Sequence, residues 1–308
     1  MQIRNTRSVV ASAAVAILVA ACGGGGGGPT TATSPTPAAS AEARDFIKDI
    51  DIGGRTLSLA CVGPTDTGRP TVIFETGLGG DRRSWGGVLT GLQATDRGCS
   101  YDRAGLGLSQ PGPKPQTTDG QVDDLHKLLA AAGIKPPYVL VGHSVGGWNV
   151  MVYAGRYPKD VAGVVMVDVR PPQASEAFRK ALPPETASEP DAIHQTRSDL
   201  TEWEADPTRN PEGLDLMKSA TQAAASPGFG DDPLVVLVAG DRSAVTEGLP
   251  PAMATTFDGI WMDLQSKLAK LSSKGKQEIV DGVTHDLPDE QPDVVIRAIH
   301  EVLGEPAS

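Results

Sequence analysis

Short apolar runs alternate with amphipathic stretches along most of the chain. Four runs, residues 71–74, 138–141, 161–169 and 234–239, are apolar almost throughout. Such runs are typical of strands buried on both faces, as in parallel sheets covered by helices. The clearest helical spacing between them joins Val122, Leu125, Leu128, Leu129 and Ala132. The pattern predicts an α/β protein with a mostly parallel sheet and helices on both sides.

Four more segments extend the predicted sheet to eight strands. Residues 46–52 and 55–62 flank a Gly-Gly turn and predict a hairpin, and residues 99–102 and 277–280 predict two further strands. Residues 171–233 break the alternation, because Pro, Ser, Glu and Asp are frequent there and apolar residues are scattered. This stretch predicts a helical insertion after the sixth strand.

The N-terminus reads as a targeting segment rather than as part of the fold. Arg4 and Arg7 precede an apolar stretch, and Leu-Val-Ala-Ala-Cys at residues 18–22 resembles a bacterial lipobox. We therefore expect residues 1–21 to be a lipoprotein signal peptide and Cys22 to be lipidated. An ordinary secretory signal cleaved nearby is the alternative.

Residues 22–43 contain six consecutive glycines and are otherwise rich in Pro, Thr, Ala and Ser. Such a tract predicts a flexible tether, leaving residues 44–305 as the folded domain. The expected location is the bacterial cell envelope or the exterior, with membrane contact only through the N-terminal lipid. A formal net charge of -11 argues against a nucleic-acid partner, and we expect a monomer.

A serine lies at a strong turn signal between an apolar run and a helical pattern. The run ending at residue 141 leads into Gly142-His143-Ser144-Val145-Gly146. Glycine on each side of Ser144 suits a tight turn in which strand and helix cross closely. That turn would expose the serine hydroxyl and set the Val145 N–H at a helix N-terminus, where it could stabilise an oxyanion. A serine in an ordinary helix N-cap is the alternative.

Gly-His-Ser-Val-Gly is the G-x-S-x-G nucleophile elbow, and here the chain resembles the α/β-hydrolase superfamily. Residues 101–109, Tyr-Asp-Arg-Ala-Gly-Leu-Gly-Leu-Ser, resemble the signature that follows the family's fourth strand. The resemblance covers roughly residues 46–303. It implies the α/β-hydrolase fold, a mostly parallel eight-stranded sheet flanked by helices. It also implies that the insertion of about residues 171–233 is a helical cap over the nucleophile.

The resemblance implies a catalytic triad. Ser144 would be the nucleophile, and His285, on the loop after the last strand, would be its base. The family usually carries the acid after the seventh strand in a Gly-Asp-Arg-Asp pattern, but this chain has Ser243 at the last position. A variant of the family places the carboxylate at the end of the sixth strand. We therefore expect Asp168 to be the acid, with Asp241 as the alternative.

The resemblance also implies a second oxyanion donor and a disulfide. The family takes the second donor from the loop after the third strand, where the Leu78 N–H would join that of Val145. Two cysteines remain beyond Cys22, and an exported chain meets oxidising conditions. Because the family's second and fourth strands are antiparallel neighbours, a Cys61–Cys99 disulfide is expected. Two buried free thiols are the alternative.

By this resemblance the chain is a serine hydrolase that acts on carboxylic esters through an acyl-enzyme on Ser144. The expected partner is a small-molecule acyl substrate. No metal or organic cofactor is expected, because the sequence has no paired Cys/His spacing and no nucleotide-binding glycine motif. Amidase, thioesterase, acyltransferase, C–C hydrolase and haloperoxidase chemistry remain open. So does a different class of protein, a non-catalytic ligand-binding lipoprotein of the envelope.

Overall fold

A computed structural model describes residues 45–304 of the 308-residue chain. The predicted signal peptide, the lipidation of Cys22 and the tether fall outside the described residues and stay predictions. Within residues 45–304, no helix has the length and apolarity needed to cross a membrane. The strands of the described part are β1 (Phe46–Asp51), β2 (Thr56–Val62), β3 (Thr71–Glu75), β4 (Gly98–Tyr101), β5 (Tyr138–His143), β6 (Val161–Val167), β7 (Leu234–Ala239) and β8 (Gly275–Val280).

The eight strands form one sheet in the order β1-β2-β4-β3-β5-β6-β7-β8. β2 pairs antiparallel with β1 and with β4, and all other neighbours are parallel. This arrangement confirms the predicted mostly parallel sheet. The central strands are buried on both faces, as their unbroken apolar runs indicate; all six residues of β7 are buried.

Helices cover both faces of the sheet. In chain order they are α1 (Gly86–Leu92), α2 (Thr118–Ala131), α3 (Gly146–Arg156), α4 (Ala174–Ala181), α5 (Asp191–Ser198), α6 (Leu216–Ala224), α7 (Ser243–Thr246), α8 (Pro251–Ala269), α9 (Leu287–Glu290) and α10 (Pro292–Val302). Successive side chains of β5 point to opposite faces of the sheet, so they pack into two separate hydrophobic cores. Leu140 joins the core under α2, α3 and α8, whereas Val139 and Val141 join the core under α1 and α10.

Two element ends differ from the sequence pattern. The apolar run 161–169 is longer than the strand it predicts. β6 ends at Val167, because Asp168 adopts a left-handed backbone conformation with φ 38°. Helix α2 begins before its apolar stripe, at Thr118, because the Thr117 side chain caps it by accepting a hydrogen bond from the Gly120 N–H. Between β6 and β7 lie α4, α5, α6 and a π-helical turn over residues 199–203.

The two cysteines of the described chain lie opposite each other in the sheet. Cys61 of β2 is the register partner of Cys99 of β4, and a disulfide joins them. Both residues are buried, with exposures of 1% or less. The bond follows from the antiparallel pairing of β2 with β4, as expected from the family's strand order.

Candidate active site

Ser144 occupies a sharp turn between β5 and α3, and its backbone φ is 53°. The flanking glycines permit this turn because strand and helix nearly touch there. A Cβ on Gly142 would lie 2.8 Å from the Gly147 Cα, and a Cβ on Gly146 would lie 2.3 Å from the Thr76 carbonyl oxygen. Any side chain at either position would therefore collide with backbone. The glycine spacing read from the sequence is a steric requirement of this turn.

Asp168 follows β6 and is fully buried. Its Oδ2 lies 2.6 Å from Nδ1 of His285, on the loop after β8, and its Oδ1 accepts a hydrogen bond from the Ala239 N–H at 3.2 Å. Both carboxylate oxygens are thus occupied, and the carboxylate binds one ring nitrogen of the histidine. A carboxylate on Nδ1 fixes the imidazole tautomer and leaves Nε2 to exchange a proton with a substrate or nucleophile.

Asp241, the alternative acid, lies in the turn after β7. Its Oδ1 accepts a hydrogen bond from the Ser243 N–H at 2.9 Å, and its own N–H donates to the Val283 carbonyl. Hydrogen bonds from Ser243 lower the pKa of the Asp241 carboxyl. The structure therefore brings Asp168 rather than Asp241 to His285.

Ser144 and His285 line a common cavity of about 640 Å³. Seven of the fifteen residues that line it are apolar: Leu78, Val145, Phe178, Leu200, Leu216, Phe257 and Trp261. Phe178, Leu200 and Leu216 come from the insertion between β6 and β7, so the insertion forms part of the wall. Arg170, Asp199, Glu204 and Arg242 add charge, so the cavity combines apolar surface with charged and polar groups.

The two expected oxyanion donors lie on this cavity. Leu78 and Val145 both line it, and within residues 45–304 neither backbone N–H donates a hydrogen bond to another group. Among the described residues, no hydrogen bond joins Ser144 Oγ to His285. Catalytic hydrogen bonds are often long in ligand-free sites and tighten when substrate binds. The arrangement can support nucleophilic attack by a serine with two free donors beside it.

Two further side chains contact the triad candidates. His143 lies with its Nε2 2.8 Å from the His285 carbonyl oxygen and its ring 4.6 Å from that of His285. Burial, reinforced by the charge of His285, lowers the pKa of His143 to about 4. Arg242 lies 3.9 Å from Asp168 Oδ2 and stacks on Trp261 at 4.0 Å. In the sequence, Arg242 is only one position of the Gly-Asp-Arg-Ser motif, and its contacts could not be predicted because Asp168 is distant along the chain.

Glu185, Glu189 and His194 are the one group of potential metal ligands that converges among the described residues. Their ligand atoms lie within 4.8 Å of one another. Glu189 already forms an ion pair with Arg197 at 2.9 Å, and His194 is largely exposed. The group belongs to the insertion surface and does not line the cavity that holds Ser144.

The comparisons with known proteins fit this geometry. Residues 70–245, more than half of the chain, match the family model of the alpha/beta hydrolase fold, so the chain belongs to that family. The uncharacterized protein YqjL of Bacillus subtilis is 28% identical over 232 residues, which cover 75% of this chain and 83% of that protein. A putative carbamate hydrolase, RutD of a Caulobacter species, is 34% identical over 32% of this chain and 37% of its own length.

Solved structures of low identity share the fold. A thermophilic esterase from Thermogutta terrifontis superimposes with a TM-score of 0.56 at 22% identity, over 85% of this chain and 98% of that one. Other structures of the same fold include a putative lipase, epoxide hydrolases and a haloalkane dehalogenase. The chain is therefore a member of a hydrolase family whose fold serves several reactions.

Proposed function

We propose that this protein is a serine hydrolase that cleaves carboxylic esters through an acyl-enzyme on Ser144. The observation that carries the proposal is the 2.6 Å contact between Asp168 and His285 beside the cavity that Ser144 lines. A serine hydroxyl is a weak nucleophile until a base removes its proton, and a histidine held by a carboxylate is such a base.

In the proposed reaction, Ser144 Oγ forms a bond to the ester carbonyl carbon while His285 Nε2 takes the hydroxyl proton. Asp168 stabilises the resulting imidazolium through Nδ1–H. The N–H groups of Leu78 and Val145 bind the tetrahedral oxyanion. Collapse breaks the bond to the alcohol, which leaves with the proton from His285. A water molecule, deprotonated by the same histidine, then attacks the acyl carbon and releases the acid and the free serine.

The cavity supports an ester with an apolar acyl or alcohol group. Seven aliphatic and aromatic side chains form part of its wall, and such side chains bind hydrocarbon by removing it from water. A serine at the elbow also disfavours the reactions of family members that use an aspartate nucleophile. The alternative of a non-catalytic binding protein has less support, because such a protein has no need of a carboxylate–imidazole pair beside a serine.

The test is hydrolysis of p-nitrophenyl esters of increasing acyl length by the full chain, together with labelling by a fluorophosphonate. We expect Ser144→Ala to lower kcat by about 10⁴-fold or more and to abolish labelling. Ser243→Ala is the matched control, since Ser243 is exposed and does not line the cavity. A folded wild-type protein that neither turns over any ester nor gains a phosphonate on Ser144 would overturn the proposal and favour the binding protein.

A further inference from the structure

A buried charged cluster joins the insertion to the loop after β3. Arg103, from the loop after β4, donates to Glu212 of the insertion through two hydrogen bonds, Nε to Oε2 at 2.8 Å and Nη2 to Oε1 at 2.6 Å. Arg103 is 2% exposed and Glu212 is 1% exposed. Paired hydrogen bonds of this kind fix the geometry of both side chains. Neither residue lines the cavity that holds Ser144.

This ion pair holds the loop after β3 at three points. Arg103 Nη1 donates to the Thr76 carbonyl at 2.7 Å, and Nη2 donates to the Gly77 carbonyl at 2.7 Å. From the other side, the Gly79 N–H donates to Glu212 Oε1 at 2.7 Å. The pair therefore binds two carbonyls and one N–H within residues 76–79. Leu78 lies between these contacts, and its N–H donates no hydrogen bond to another group within residues 45–304.

The cluster has little freedom to rearrange. Gln121 donates a hydrogen bond to Glu212 Oε2 at 2.8 Å. Burial opposes ionisation of Glu212, but the charge and hydrogen bonds of Arg103 outweigh it, so the pKa of Glu212 is lowered. Contact is also close at the backbone, since a Cβ on Gly79 would lie 2.7 Å from Pro211 Cγ. The loop and the insertion thus meet with fixed charges and no spare space.

We propose that Glu212 is a positioning residue that, through Arg103 and the Gly79 N–H, sets the Leu78 N–H at the place where the oxyanion forms. Preorganised donors stabilise an oxyanion because they need not turn toward the charge as it develops, and small displacements weaken them steeply. The insertion then contributes to transition-state stabilisation as well as to the cavity wall. This inference rests on the proposed esterase function.

Glu212→Gln and Glu212→Ala test the inference by two readouts, kcat for p-nitrophenyl esters and the Ki of an alkyl trifluoromethyl ketone. The ketone forms a hemiketal with Ser144 and places an oxyanion among the same donors. We expect kcat to fall roughly 10- to 100-fold, less than the about 100- to 1,000-fold that loss of a whole donor costs. The Ki should rise by a similar factor, while KM changes less than threefold, because ground-state ester gains little from these donors.

Glu189→Gln is the matched control, because Glu189 also lies in the insertion and pairs with an arginine, Arg197, without contacting the loop after β3. It should leave both readouts unchanged. Active-site titration with the phosphonate normalises kcat, and Ki reports only on molecules that are folded. A Ki that stays at the wild-type value in Glu212→Gln would overturn the proposal. So would a failure of both Glu212 variants to fold, which would make the role of Glu212 purely structural.

The wild-type protein tests the proposed function, and the Glu212 variants test the positioning role, so failures of the two proposals can be told apart. If the esterase proposal is wrong, the wild-type protein shows neither turnover nor labelling of Ser144. If only the positioning role is wrong, the wild-type protein is active, and either the Ki of Glu212→Gln matches that of wild type or neither Glu212 variant folds.

Discussion

The turns after β6 and β7 lie at the same edge of the sheet and each contains an aspartate, but their environments differ. Asp168 is fully buried, has φ 38°, and uses its two oxygens on His285 and on the Ala239 N–H. Asp241 lies in a turn without positive φ and uses its oxygen on the Ser243 N–H two residues ahead. The first carboxylate is oriented by tertiary contacts and the second by its own turn.

Burial and backbone conformation, rather than a motif, therefore distinguish Asp168, the candidate acid, from Asp241. Among the described residues, Ser144 and Asp168 are the only non-glycine residues with positive φ. Such conformations cost about 1–3 kcal/mol each and persist where surrounding structure imposes them, often at functional sites. Both lie at the carboxyl ends of adjacent parallel strands, β5 and β6. The strained pair of turns therefore coincides with the candidate nucleophile and the candidate acid.

The sharpest test of this comparison exchanges each carboxylate for an amide. Asp168→Asn should lower kcat about 10⁴-fold, because an amide next to Nδ1 favours the wrong imidazole tautomer. Asp241→Asn should change kcat less than about threefold, since surface turn substitutions have small effects. Both values come from steady-state hydrolysis of the same p-nitrophenyl ester. A larger loss in Asp241→Asn than in Asp168→Asn would reverse the assignment of the acid.

The eight strands could be predicted because each leaves a local record in the sequence. Strands such as β5 and β7 are continuous apolar runs, and the elbow glycines mark a turn where strand and helix nearly touch. The end of β6 could not be predicted from its apolar run. Val169, beyond the strand, stays buried because it packs on Gly147, where a Cβ would lie 2.3 Å from its side chain. Hydrophobic periodicity records burial, but it does not record a change in φ.

Polar contacts between residues far apart in the chain could not be predicted from the sequence pattern. Arg103 and Glu212 are 109 residues apart, and although Arg103 lies in the signature at residues 101–109, nothing in the sequence pattern pairs it with Glu212. The family resemblance pointed to Asp168 as a possible acid, but the contact with His285 joins positions 117 residues apart. The insertion also contributes apolar residues to the cavity wall, and no pattern in the sequence indicated which of its residues would face the cavity. The Arg103–Glu212 pair and the cavity wall depend on how the insertion folds back over the sheet, whereas the Asp168–His285 contact depends on the pairing of β6, β7 and β8.

His143, which contacts His285 beside Asp168, should make part of the protein's stability sensitive to acid. The pKa of His143 is lowered to about 4 from an ordinary value near 6.5, so the unfolded chain binds more protons between these pH values. The stabilisation is therefore fully present above pH 6.5 and is lost as pH falls toward 4. Wild type should lose about 3 kcal/mol of unfolding free energy over this window that His143→Gln does not lose.

Urea denaturation at pH 8, 6, 5 and 4 measures this difference. The glutamine amide keeps a donor for the His285 carbonyl but does not titrate, so it is a close replacement for the neutral imidazole. Plotted against pH, the unfolding free energies of wild type and His143→Gln should diverge below pH 6.5 and run parallel above it. Parallel curves over the whole range would show that His143 is not held neutral by its surroundings.

The smallest expected effect isolates backbone strain from chemistry. Ser144→Gly should be more stable than Ser144→Ala by about 1 kcal/mol, because a Cβ in the left-handed region costs roughly 1–2 kcal/mol and the greater entropy of unfolded glycine offsets part of that. At Asp241, whose φ is not positive, the order should reverse, with glycine less stable by up to about 1 kcal/mol. All four variants lack the side-chain oxygen, so within each pair only the Cβ differs. Urea unfolding of the two pairs measures both differences, and the same sign at both positions would contradict the contrast between a strained and a relaxed turn.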